Sequence, residues 1–376
     1  MKSYFKLSAA VAIGFMAFGT FTAPANAAGP YSCSDSTYGG SYSSCSANNT
    51  ANQASTVATA TTVLRAATSR TTRIMSDRIS AALNGNIGSV DVASNSLTAS
   101  SGMAAGDMAG KMGAWITGSW GNVEDDNTDT AFDGDTYNAM IGVDYIVSPG
   151  VLVGLSLGYE DVDIDTAYNG FNGQDGNLSG DGYTVAPYVG VKFSDHSSAD
   201  LTVGYSDIEY DTVRFDPNTG NRIAGSTDAD RYFVSAGVNH AMPLKGNWTL
   251  EGRGGITYAY EDKDGYTETE AGGATIAVDS YDTELGQILA DARFAYPYKQ
   301  VKPYGLVGLE YDFVKEDTPV AAGQTLSDDD FGVKFGAGIN LINMGSNVTG
   351  GVEAYTVEFR DDYEEYVVNA GLRVKF

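Results

Sequence analysis

Few side chains in this sequence offer chemistry: two histidines, two cysteines, several runs of aspartate and one group of arginines. His196 lies in a short turn-like stretch and His240 just ahead of another. A nucleophile needs a base within hydrogen-bond reach, and neither histidine has an evident partner along the chain. No nucleophile elbow and no H-E-x-x-H pair is expected, so catalysis is not the expected function. Cys33 and Cys45 sit close together in a Ser/Tyr/Gly-rich segment with no histidine beside them. In an oxidising compartment they are expected to pair as a local staple, and a metal site there is not expected.

The acids fall in clusters: Glu124 to Asp126 with Asp129, Asp133 and Asp135; Asp161, Asp163 and Asp165; Asp328 to Asp330. Alternating carboxylates can ligate calcium, but no spacing here matches a calcium-binding loop. Solvated, mutually repelling loops are the favoured reading. Divalent-cation bridging to lipopolysaccharide is the alternative. With a formal charge of -26 and a pI near 4.2, nucleic acid is not expected as a partner. No cofactor is expected.

The arginines Arg65, Arg70, Arg73 and Arg78 belong to a stretch free of Gly and Pro, Thr50 to Leu83, closed by Asn84-Gly85. That pattern predicts a helix over residues 50–84. It is thin in apolar residues and rich in threonine, so it needs a partner to be stable. One candidate is the interior of a barrel, where the arginines would meet Asp291, Glu310, Asp312 or Glu353. The other is solvent, as a periplasmic helix or short coiled coil.

The elements that would position these groups are strands. Glu365 to Phe376 alternates: Tyr366, Val368, Ala370, Leu372, Val374 and Phe376 on one row, polar residues and Val367 on the other. Eleven upstream segments repeat the pattern, beginning with Met112 to Asn122, Thr136 to Val147 and Gly150 to Glu160. Short links such as Ser148-Pro149 alternate with long ones such as Thr166 to Gly182, Asp211 to Ala229 and Glu261 to Glu284. Apolar rows ending in aromatics, polar opposite rows and alternating loop lengths together predict an all-β chain. It is an antiparallel transmembrane β-barrel of about twelve strands, preceded by an α-helical segment. Mean hydropathy is only -0.18 because the two rows cancel.

Ahead of the barrel, residues 1–27 carry Lys2 and Lys6, an apolar core and Ala25-Asn-Ala27, the pattern of a cleaved signal peptide. Residues 28–49 read as a short leader, 85–110 as a linker containing a possible stray strand at Gly88 to Ala93, and 111–376 as the barrel.

Trp115-Ile-Thr-Gly-Ser-Trp120-Gly, Gly142-Val-Asp-Tyr145, Val153-Gly-Leu-Ser-Leu-Gly-Tyr159 and the strand ending at Phe376 resemble the translocator domain of autotransporters. The resemblance covers about residues 111–376. It implies a twelve-stranded barrel in the outer membrane of a Gram-negative bacterium. It also implies insertion by the barrel assembly machinery, a final aromatic that helps targeting, and a helix that threads the lumen behind an exported passenger. Only residues 28–50 stand between signal and helix, so little or no passenger is expected. Three functions follow: an autotransporter-type barrel, non-enzymatic and monomeric; a porin-like channel for small solutes; or an adhesin acting through acidic loops. If the last strand is the closing seam, deleting Phe376 or making Phe376→Lys should lower the amount of heat-modifiable barrel in the outer membrane. Wild-type amounts would count against the barrel.

Overall fold

A strand's backbone cannot enter lipid with an open edge, so the alternating segments must pair all the way round. In the computed structural model they do. It describes residues 47–83, 111–127, 130–166, 175–216, 219–315, 330–341 and 348–375. The signal peptide, Cys33, Cys45, the Gly88 to Ala93 stretch and Phe376 lie outside these.

Helix α1 (Ala47–Leu83) precedes fourteen strands: β1 (Met112–Asp125), β2 (Phe132–Ser148), β3 (Val151–Thr166), β4 (Gly176–Ser194), β5 (Ser197–Phe215), β6 (Arg222–Pro243), β7 (Thr249–Lys263), β8 (Tyr266–Glu270), β9 (Thr275–Val278), β10 (Tyr281–Ala295), β11 (Val301–Lys315), β12 (Phe331–Leu341), β13 (Val348–Arg360) and β14 (Tyr363–Lys375). All but β8 and β9 are staves, so the barrel has the twelve strands expected. Each stave pairs antiparallel with its neighbours in chain order. The ring closes where β1 meets β14, with Ile116 opposite Leu372. Gly113 opposite Lys375 places both barrel ends at the short-turn rim.

The staves run further than the alternation of the apolar rows suggested. β5 and β6 remain paired up to Phe215 opposite Arg222, so most of the stretch read as a loop, Asp211 to Ala229, is strand. Glu261 to Glu284 likewise holds the end of β7, the start of β10 and the β8–β9 hairpin. The reason is an inversion of the side-chain code. In β3, Val153, Leu155, Leu157 and Tyr159 face outward and are exposed, whereas Gly154, Ser156 and Gly158 face the lumen. Above Tyr159 the outward residues are Asp161, Asp163 and Asp165, and Ile164 is buried inside. β5 switches in the same way after Tyr205, to Asp207, Glu209 and Asp211 outside with Ile208 and Tyr210 inside. Paired tyrosines mark the level: Tyr159 with Tyr183 at 5.4 Å and Tyr205 with Tyr232 at 5.3 Å between ring centroids. Below this aromatic level the outer face suits lipid. Above it the staves form a rim suited to water, with an apolar inside of its own.

The long-connection rim has one exception to its rule. β13 and β14 are joined by Asp361-Asp362 alone, with Asp362 at φ 57°, a left-handed conformation that aspartate tolerates better than most residues.

The two zones predict opposite responses to charge. Ile141→Arg, at a lipid-facing position 53% exposed in the isolated chain, should destabilise the barrel by about 2–4 kcal/mol in urea unfolding from lipid vesicles. Asp163→Asn on the rim should change stability by less than about 0.5 kcal/mol. Equal effects at the two sites would contradict the placement of the membrane.

Candidate functional site: the helix-filled lumen

α1 runs through the barrel. At about 1.5 Å per residue its 37 residues extend roughly 55 Å, longer than a bilayer's hydrocarbon core of about 30 Å. Its direction follows from its apolar contacts. Val63 and Ala66 pack with Val123, Phe132, Ile164 and Ile208 at the long-connection end. Ile74, Met75 and Ile79 pack with Trp115, Met140, Leu152 and Tyr188 towards the short-turn end. On another side of the helix Leu64, about 100° round from Val63, meets Ala186, Phe233, Ala259 and Leu285. The N-terminus of α1 therefore points out through the long-connection mouth, and its C-terminus faces the end where β1 begins. A Cβ at Gly190 would overlap Ile79. A bare wall at that point lets the helix lie close to β4.

Polar contacts set the helix register. Arg65 pairs with Asp312 at 2.8 Å, Arg70 with Glu365 at 2.7 Å, and Arg73 with Glu353 at 2.7 Å and Asp291 at 3.4 Å. Arg70 also donates to Thr136 Oγ1. Ser69 donates to Gln287 at 2.6 Å and Ser76 to Asp200 at 2.8 Å. Asp77 accepts both arms of Arg293 at 2.7 and 3.0 Å. The guanidinium of Arg73 also lies over the Tyr355 ring, 4.7 Å from its centroid. Such pairs, buried on both sides, hold geometry more than they add stability, because both ions have lost water.

Three of the four carboxylates anticipated from the sequence, Asp291, Asp312 and Glu353, do meet the arginines of α1. Glu310 does not. It is held within the wall by Arg360 at 3.0 Å and Lys334 at 3.4 Å. Arg78 also differs from expectation: among the described residues no carboxylate lies within 4.0 Å of it. Glu365, Asp77 and Arg293 were missed as partners, although Glu365 stands on the polar row of the last strand and was legible there.

Towards the long-connection end the wall has its own network. Arg231 bridges Glu160 at 2.7 Å and Glu261 at 2.6 Å, and Lys263 joins Glu261 at 3.0 Å. Arg214, from the inner face of β5, holds Glu268 of the β8–β9 hairpin at 2.6 Å. That pair anchors the hairpin to the inner side of the tall β5–β6 rim. Beside α1, towards the short-turn end, a cavity of ≈ 180 Å³ remains between the helix and the wall from β6 round to β1.

Among the described residues the histidines and serines come together at no catalytic constellation. Against expectation His240 has a partner: its Nδ1 lies 2.9 Å from Ser197 Oγ. Both are on the outward row near the short turns, and among the described residues no carboxylate orients the ring. Although no nucleophile elbow was expected, Gly154-Leu-Ser156-Leu-Gly158 has the letters of one. It runs straight through β3, where the elbow needs a strand-to-helix turn, and Ser156 Oγ donates to the Ala186 carbonyl at 3.0 Å. Among the described residues no three acids, histidines or cysteines have metal-holding geometry.

A closed twelve-strand barrel with an apolar outer belt, a polar lumen and a helix through it defines an outer-membrane barrel with a helical occupant. The chain belongs to the autotransporter β-domain family, whose profile matches residues 114–355. The fold is that of the translocator domain of the autotransporter NalP from Neisseria meningitidis, with 13% identity, a TM-score of 0.61, and coverage of 81% of this chain and 96% of that one. The β-domain of the Bordetella autotransporter BrkA matches at 18% identity and a TM-score of 0.54, covering 71% of this chain and 100% of that one. In sequence, 221 residues are 24% identical to the uncharacterised protein YaiT of Escherichia coli (strain K12), over 57% of this chain and 22% of that protein. The Salmonella typhimurium YaiT matches at 22% identity, over 57% of this chain and 21% of its own length. The chain thus spans about a fifth of the length of these curated relatives.

Because Arg70 and Glu365 are both buried, removing one partner should cost more than removing both. Arg70→Ala is expected to destabilise helix docking by about 3–5 kcal/mol, and adding Glu365→Ala should recover part of that. Hydrogen exchange across residues 59–83 measures it. An unchanged exchange rate in Arg70→Ala would show that the pair does not hold the helix.

Proposed function

We propose that this chain is a non-enzymatic translocator unit: the barrel passes the segment ahead of α1 to the cell surface and then keeps α1 as its plug. The observation that carries this reading is the direction of the helix. A chain that enters β1 at the short-turn end and whose helix points out of the opposite mouth leads whatever precedes the helix to the outside. The helix packing towards both ends of the lumen, together with its arginine pairs, favours a closed lumen over a porin-like one. Residues 1–27 serve as the cleaved export signal, and the assembly machinery inserts the barrel with Phe376 at its final seam. Outer-membrane lipid surrounds the apolar belt, and the acidic rim stands at the level of lipopolysaccharide headgroups, where divalent cations can bridge like charges.

Intact cells test the direction: an epitope inside residues 30–48 should be reached by antibody or protease, and protection of that epitope would overturn the export reading. The plug has a separate test. Deleting residues 50–83 should raise the single-channel conductance of the purified barrel in planar bilayers, and unchanged conductance would remove the plug.

A further inference from the structure

The cavity beside α1 contains two cationic groups that the ion-pair ladder leaves over. The rest of its charged lining is paired: Arg73 with Glu353 and Asp291, Arg293 with Asp77 and Glu353, Lys302 with Glu251. Arg253, from β7, is only 8% exposed. Its Nη2 donates to the Thr72 carbonyl at 3.4 Å, while its Nε and Nη1 have no hydrogen-bond partner among the described residues. Arg78, from α1, lines the same cavity. Among the described residues neither guanidinium has a carboxylate within 4.0 Å. Asp200, Asp77 and Asp291 lie within electrostatic range of Arg253 but beyond 4.0 Å, and Asp200 is itself engaged by Ser76 at 2.8 Å and Asn239 at 2.9 Å.

A lysine or carboxylate in such a place could relieve its burial by changing protonation. Arginine cannot, because it stays charged at any ordinary pH. We propose that the cavity binds a small oxyanion of the phosphate or sulfate class, held by Arg253 from the wall and Arg78 from the helix. The guanidinium fork matches two oxygens of such an ion at once. The volume, ≈ 180 Å³, is several times the roughly 30 Å³ share of a water. The wall there is kept open by Gly351 and Gly371; a Cβ at Gly371 would overlap Arg78 itself. An ion bridging Arg78 and Arg253 would couple α1 to β7, a link that direct ion pairs do not make. The site lies towards the short-turn mouth, so the ion would enter from the periplasm.

The test is calorimetric titration of the full, detergent-folded chain with inorganic phosphate at pH 7, in sodium chloride of matched ionic strength. Saturable one-site binding is expected, with sulfate competing. In Arg78→Gln/Arg253→Gln it should weaken at least tenfold, while Lys192→Gln, at a short turn, should leave it unchanged. If the double variant does not give a heat-modifiable barrel, Arg253→Gln alone is titrated and should show the same direction of loss. Absence of saturable phosphate binding in the wild type, or equal affinity in a folded variant lacking Arg253, would overturn the site.

Discussion

Everything in this molecule depends on satisfying backbone hydrogen bonds where no water can do so. Twelve staves meet that demand only as a closed ring, and the pairing of β1 with β14 closes it. Closure fixes the two faces of every stave. It also places the first and last staves side by side, so the barrel's N- and C-terminal ends share one rim. The outer face then has to satisfy lipid and the inner face has to satisfy whatever occupies the lumen. These two demands explain why one strand can alternate Leu157 with Gly158 at one height and Asp163 with Ile164 higher up.

The lumen presents the second demand. Its wall carries buried carboxylates, among them Asp291, Asp312, Glu353 and Glu365, which would be costly without counter-charges. α1 brings Arg65, Arg70 and Arg73 to them. The same helix is thin in apolar residues and rich in threonine, a sequence poorly suited to stand alone in water. Inside the barrel its Thr, Ser and Arg side chains are assets: they meet polar wall groups, while Val63, Leu64, Ile74 and Ile79 fill gaps along the wall. Helix and wall are therefore complementary in charge, and the fixed direction of the helix follows from the distribution of both sets of contacts. A helix with the reverse polarity would bring Val63 to the level of Trp115 and Arg73 away from Glu353.

The twelve staves were legible because the period of two and the apolar rows survive without any tertiary knowledge. The upper staves were read as loops because that reading followed the outward apolar rows, which end at the aromatic level. Above it the alternation continues in the opposite sense, Asp161, Asp163 and Asp165 outside against Ile164 inside. The β8–β9 hairpin was missed for another reason. It is short, and Arg214 and Glu268, which hold it, are distant in sequence. The misreading of Glu310 has the same origin: a carboxylate on the lumen row can pair across the wall or with the helix, and here Arg360 and Lys334 are nearer.

By itself, then, the sequence determined the class of fold, the number of staves, the face each stave turns to lipid and the basic character of the helix. Those properties depend on local periodicity and composition, which neighbouring residues express together. Only the tertiary structure decided that the helix lies inside the barrel, which way it points, which acid each arginine meets, and that Arg78 and Arg253 share a cavity. Those facts depend on the register of α1 against strands more than 200 residues away, as with Arg65 and Asp312. Many carboxylates with equal local claims compete there, and only packing in three dimensions can choose among them.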